Sequence, residues 1–123
     1  MTRPRRSARQ AALLLSLFTA VGAACGGGDD RAATIPEPTG AQADDPTLVL
    51  GRDVWARSCV SCHGLDGRGL SGPALAGVVT VRYPDVADQV AVVRDGRNLM
   101  PAAAGVLTPE EIEAVVRYTR EVL

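Results

Sequence analysis

The sequence predicts an all-α domain, three to four helices wrapped around one covalently attached prosthetic group. Three observations predict it. Cys59-Val60-Ser61-Cys62-His63 places two thiols and an imidazole within five residues. Apolar residues recur at helical spacing in three segments on either side of that motif. The whole chain of 123 residues holds only one Trp, one Phe and two Tyr, so its small folded part cannot fill its own centre with aromatic side chains. A covalent graft fills such a centre, as metals and disulfides do in other small domains.

The first helix is expected from about Thr47 to Ser58, with Thr47 as N-cap and Leu50, Val54 and Trp55 on its apolar face. It leads straight into the cysteine motif. Residues three and four apart share a helical face, so Cys59, Cys62 and His63 can project from one short helix toward one porphyrin. C-x-x-C followed at once by His reads as a c-type haem attachment site: the thiols add to the two vinyl groups and the imidazole reaches the iron. The competing readings lack support. A thioredoxin-like pair needs a βαβ context, and a structural zinc needs four ligands where this chain has a single His and a distant third Cys.

Gly64, Gly67, Gly69 and Gly72-Pro73 mark a loop wrapped closely on something. A second helix is expected from Pro84 to Asp95, with Pro84 in its first turn and Gly96 as its stop; Val86, Val90 and Val93 form its apolar stripe, flanked by Ala87 and Ala91. Met100-Pro101 follows in a stretch, Gly96 to Gly105, without helical or strand period. Met100 is the only Met besides the initiator. Its thioether is a soft neutral donor suited to the iron face opposite His63, the alternative being a gap-filling core residue and an open sixth position. The last helix is the best signalled: Thr108-Pro109-Glu110-Glu111 supplies an N-cap, a Pro at the first position and a capping-box Glu, and Ile112, Val115, Val116, Thr119 and Val122 follow at helical spacing.

Upstream, Arg3, Arg5, Arg6 and Arg9 precede an apolar stretch from Ala11 to Ala24, the pattern of an export signal over residues 1–24. Val21-Gly22-Ala23-Ala24-Cys25 resembles a bacterial lipobox, which implies acylation of Cys25; an ordinary secretory signal is the alternative. Residues 25–46 are rich in Gly, Pro and Asp and read as a flexible, lipid-anchored linker, leaving 47–123 as the folded head. Export agrees with covalent haem, which bacteria attach outside the cytoplasm. Removal of the first 24 residues leaves nine cations against 14 anions, a balance of −5, which disfavours nucleic acid or an anionic surface as partner. All the cations are Arg, a composition without a functional reading here.

Gly51-x-x-x-Trp55-x-x-x-Cys59-x-x-Cys62-His63-Gly64, then Gly67-x-Gly69, Gly72-Pro73-x-Leu75, Gly96-x-x-x-Met100-Pro101 and the capped terminal helix with Tyr118 resemble the class I c-type cytochromes over residues 47–123. The resemblance implies one haem c bound through Cys59 and Cys62, His63 and Met100 as axial ligands, and a Pro73 carbonyl that accepts the His63 Nδ1 proton. It also implies close crossing of the first and last helices at Gly51, Trp55 and Tyr118. A Lys-rich docking face found in some members cannot operate without Lys. The expected function is that of a monomeric, membrane-tethered carrier of single electrons between respiratory or periplasmic redox partners. It is not an enzyme by itself. The alternatives are a haem-binding subunit or domain of an oxidase or dehydrogenase complex, and a haem-based ligand binder, which would need an open distal position.

Overall fold

The computed structural model describes residues 32–123. After a 3-10 turn at Gly40–Gln42 come five helices: α1 (Pro46–Ser58), α2 (Val60–His63), α3 (Val79–Arg82), α4 (Val86–Asp95) and α5 (Pro109–Glu121). No strand forms among the described residues, so the architecture is all-α, with α2 and α3 only one turn long.

Local chemistry accounts for the helix ends. Asp45, rather than Thr47, caps α1: its carboxylate accepts from the amides of Thr47 at 2.9 Å and Leu48 at 3.4 Å, with Pro46 at the first position. Likewise α4 starts after Pro84, because the Asp85 carboxylate accepts from the Ala87 amide at 2.8 Å. Thr108 and Glu111 form the full reciprocal capping box of α5. The turn α3 escapes the sequence reading because Val79-Thr80-Val81 are weak helix formers. Burial of Val79 and the bond from its amide to the Leu75 carbonyl hold it.

The core lies where α1 crosses α5. Val54 and Trp55 of α1 cluster with Ile112, Val115 and Tyr118 of α5, Leu48, Ala114 and Val116 are also buried, and the Trp55 and Tyr118 rings lie 6.3 Å apart at a 42° tilt. Gly51 makes the crossing possible. A Cβ there would run into the Ala114 carbonyl and lie 2.7 Å from Tyr118 Cβ.

The linker boundary needs correction. Residues 35–45, expected to be flexible, are strapped onto the head: Ile35 packs on the core, Pro38 is buried, Glu37 pairs with Arg52, Gln42 donates to the Glu121 carbonyl at 3.3 Å, and Arg117 pairs with Asp45 at 2.8 Å. The physical reason lies in Tyr118. Burial pushes its phenol up to about 12, so it stays protonated, and a buried hydroxyl needs an acceptor; the Pro36 carbonyl supplies one at 2.8 Å. Pro36 and Pro38 also have little backbone freedom to lose on docking. The expected export signal, Cys25 and the first part of the linker lie outside the described residues.

The strap is sensitive to acid. The hydrogen bond from Arg117 holds the Asp45 carboxyl below its usual value of 3.8. A depressed folded value means that its stabilisation is present above pH 4, roughly, and disappears as pH falls through that lowered value. The protection of amides over residues 35–45, measured against the intrinsic exchange rate at each pH, is therefore expected to fall at low pH before protection at the α1–α5 crossing does.

Candidate functional site

The helix ends and loops just described surround a cleft. Trp55 and Cys59 enter it from the end of α1, His63 from α2, Leu75 from the loop, Gln89 and Val93 from α4, Met100 from the following loop, and Val115, Val116 and Thr119 from α5. The structure thus brings Cys59, His63 and Met100 to one cavity. Cys62 is exposed and does not line it; Cys25 lies outside the described residues. A wider cleft between the end of α4 and the start of α5, lined by Val90, Arg94, Leu107 and Ile112 among others, offers neither sulfur nor imidazole.

His63 is held in one tautomer. It is 7% exposed, and its Nδ1 lies 2.8 Å from the Pro73 carbonyl oxygen. A carbonyl only accepts, so Nδ1 carries a proton, and in the neutral ring the lone pair is therefore on Nε2. Short backbone bonds fix the loop that supplies that carbonyl: Gly72 N to Cys62 O at 2.7 Å, Gly69 N to His63 O at 2.8 Å and Leu75 N to Gly67 O at 2.8 Å. The loop can approach because residue 72 has no side chain; a Cβ there would stand 3.0 Å from His63 Cε1. The Trp55 ring is tilted against His63, ring centroids 6.0 Å apart, and its indole N–H donates to the Leu65 carbonyl at 3.1 Å.

Met100 is positioned by a tight turn. Its amide and carbonyl both bond back to Arg97, at 2.9 and 3.0 Å, Asn98 between them adopts the left-handed φ of 53°, and Gly96 has φ 76°. Any side chain at 96 would meet the Met100 carbonyl at 2.6 Å. Ala103 and Ala104 amides then bond to the Val93 and Arg94 carbonyls, tying the Met loop to the end of α4.

Burial pushes the Cys59 thiol up to about 11, so it is neutral at physiological pH. It forms no disulfide with Cys62, and no group of three or more His, Cys, Asp or Glu side chains that could hold a metal ion exists among the described residues. The donor chemistry therefore fits a haem better than a zinc or redox-disulfide site: an apolar cavity, one imidazole with a free nitrogen, one thioether and a thiol at its edge. Sequence reasoning missed two cavity residues, Gln89 and Thr119, the first overlooked and the second counted with the apolar face of α5.

The sequence matches the family described as cytochrome c oxidase, cbb3-type, subunit III, over residues 46–118, more than half of the chain. This chain belongs to the c-type cytochromes. Like other members of the family, this cytochrome binds covalently attached haem c, with Cys59 and Cys62 in the attachment spacing. It is 31% identical to cytochrome c-551 of Bacillus subtilis (strain 168), over 80% of this chain and 82% of that protein. It is 33% identical to the cbb3-type cytochrome c oxidase subunit CcoP of Rubrivivax gelatinosus over 68% of this chain, but spans only 29% of that subunit's length. Among solved structures, cytochrome c6 of the diatom Phaeodactylum tricornutum superposes with a TM-score of 0.52 at 27% identity, covering 58% of this cytochrome and 88% of that chain. Cytochrome cL of Methylophaga aminisulfidivorans MPT superposes with a TM-score of 0.56 at 25% identity, covering 63% and 55%.

Proposed function

We propose that this c-type cytochrome is an exported, membrane-tethered monohaem carrier that passes single electrons between respiratory or periplasmic redox partners, acting as a monomer and without enzymatic activity of its own. The observation that carries the reading is the convergence of His63 and Met100 on one mostly apolar cleft edged by Cys59. The haem, when bound there, supplies an iron that alternates between the ferric and ferrous states one electron at a time. Cys59 and Cys62 would hold the group covalently, and His63 Nε2 and Met100 Sδ would be the protein donors to its iron. The Nδ1–H bond to Pro73 fixes the imidazole plane and makes Nε2 a stronger donor. A thioether favours the ferrous state and sets a higher reduction potential than a second nitrogen ligand would. Two protein ligands, each on a tied-down loop or turn, leave little to rearrange on electron transfer.

Met100→Ala tests the reading. The haem is expected to remain attached while the potential falls and the ferrous protein gains carbon monoxide binding at neutral pH. Persistence of the far-red sulfur-to-iron absorption band in the oxidised variant would remove Met100 from the iron. The same experiment excludes the ligand-binder reading if the unaltered protein fails to bind carbon monoxide.

In the anchored form, Cys25 carries the acyl chains and becomes the mature N-terminus. The nine residues from Gly26 to Thr34 then separate it from the strap, and even fully extended they reach only about 30 Å. Redox partners should accordingly meet the head at the same membrane surface. Mass spectrometry of the mature protein is expected to show a lipid-modified Cys25; an unmodified residue at another position would overturn the anchor and leave the haem assignment untouched. The match to CcoP supports a second reading, a haem-bearing subunit of an oxidase or dehydrogenase complex. Stable co-purification with such a complex from mildly solubilised membranes would favour it over a free carrier.

A further inference from the structure

Three polar side chains are buried among the described residues, His63, Gln89 and Thr119, and all three line the haem cleft. Pro73 accounts for His63. Gln89, 4% exposed, and Thr119, 5% exposed, interrupt a wall that α4 and α5 otherwise build from Val93, Val115 and Val116. An amide is retained in such a wall only if its polar atoms are used.

Their bonds fix which atom faces which. Arg120 Nη1 donates to Gln89 Oε1 at 3.0 Å and to the Tyr83 carbonyl at 2.8 Å, and its Nη2 donates to the Pro84 carbonyl at 3.3 Å. A guanidinium has no acceptor, so the amide atom facing it must be the oxygen. Gln89 Nε2 is thereby turned toward Thr119, whose Oγ1 accepts at 2.8 Å and whose own O–H donates to the Val116 carbonyl at 2.8 Å. One of the two Nε2 hydrogens is committed by this arrangement. The other has no acceptor among the described residues. Arg120, for its part, meets three neutral oxygens and no carboxylate within ion-pair distance among the described residues. One wall of an otherwise apolar cavity thus presents an oriented N–H donor with an unneutralised cation directly behind it, a combination complementary to a carboxylate.

We infer that Gln89 is the binding residue for one propionate carboxylate of the haem, with Arg120 as the positioning residue that orients the amide and supplies the compensating charge. The inference rests on haem c occupying this cleft and is independent of whether Met100 ligates the iron. An unscreened carboxylate near the iron favours the ferric state; an N–H donor and a nearby guanidinium offset that charge and favour the ferrous state.

The test compares holoprotein of the unaltered chain, Gln89→Leu, Arg120→Gln and the double variant, each carrying haem labelled with ¹³C at the propionate carboxyls. Redox-difference infrared spectra are expected to show the label-sensitive carboxylate band displaced in both single variants. Their midpoint potentials are expected to fall enough to change the ferrous-to-ferric ratio at fixed poise about threefold, near 30 mV for one electron at 59 mV per decade. The double variant should fall below either single variant but by less than the sum of the two shifts, because Arg120 acts partly by orienting Gln89 and partly through its own charge; a fully additive double variant would overturn the orienting role. Label-sensitive bands that stay in place in both single variants overturn the assignment, as does a change in thermal stability with no change in potential. Should Gln89→Leu take up no haem, Arg120→Gln, which alters a half-buried side chain outside the cleft lining, decides alone on the same band.

Discussion

Replacing Cys59 and Cys62 together with Ser is expected to abolish stable holoprotein and to leave a chain without a cooperative thermal transition. Serine hydroxyls form no thioether, so the haem would be held by axial bonds alone. Without the graft, Trp55, Val93, Val115 and Val116 line an empty apolar cavity whose walls have lost their packing partner. The head is too small for its remaining core, chiefly the α1–α5 crossing, to offset that loss comfortably. Haem-stained gels and differential scanning calorimetry of the exported protein check both parts. A haem-free chain that still melts in one sharp transition would show that the helices do not need the graft.

Gly51→Val should be nearly as damaging by a different route. At this position even a methyl carbon would lie 2.7 Å from Tyr118 Cβ and collide with the backbone carbonyl of Ala114, and a carbonyl in the middle of α5 cannot swing aside. The helices must separate. Overpacking of this kind typically costs about 1–3 kcal/mol, and separation would also loosen the Trp55–Tyr118 contact and the Tyr118 bond to Pro36 that secures the strap. The expected result is a lower melting temperature of the holoprotein together with faster amide exchange over residues 35–45. Unchanged stability would mean that α1 and α5 do not cross at Gly51.

Most of the frame was legible because its signals are local. Cys59, Cys62 and His63 fall on a single turn, Gly96-x-x-x-Met100-Pro101 encodes its own loop, and Thr108 to Glu111 carries a complete capping box in four residues. Where reading was off by a residue or two, a stronger cap stood nearby: Asp45 before Pro46, and Asp85 after Pro84. The strap was not legible, since its Gly, Pro and Asp content is that of a linker and the group that demands it, the Tyr118 hydroxyl, is 82 residues from Pro36. Its one hint was Ile35-Pro36-Glu37-Pro38, an apolar island in a polar stretch. Gln89 was hidden for another reason. It lies four residues before Val93 and so on the cleft-facing side of α4, but a search for apolar period passes over a polar residue on that face, and Val86, which fits the period, is 50% exposed. Thr119 fits the period and still hides its role, because only the structure shows its hydroxyl meeting Gln89.

The environment of one methyl group decides whether Met100 holds the iron. The chain contains two methionines, Met1 and Met100, so selective ¹³C labelling of methionine ε-methyls reports Met100 without ambiguity once Met1 is removed with the signal or assigned by Met100→Ala. In the ferrous holoprotein a methionine bound to the iron holds its methyl over the face of the porphyrin, where the ring current shields it strongly. A single ε-methyl resonance far upfield of the ordinary methionine position is the predicted result. An ε-methyl signal of Met100 at the position of an unligated methionine would contradict the proposal that His63 and Met100 together hold the iron of an electron-carrying haem.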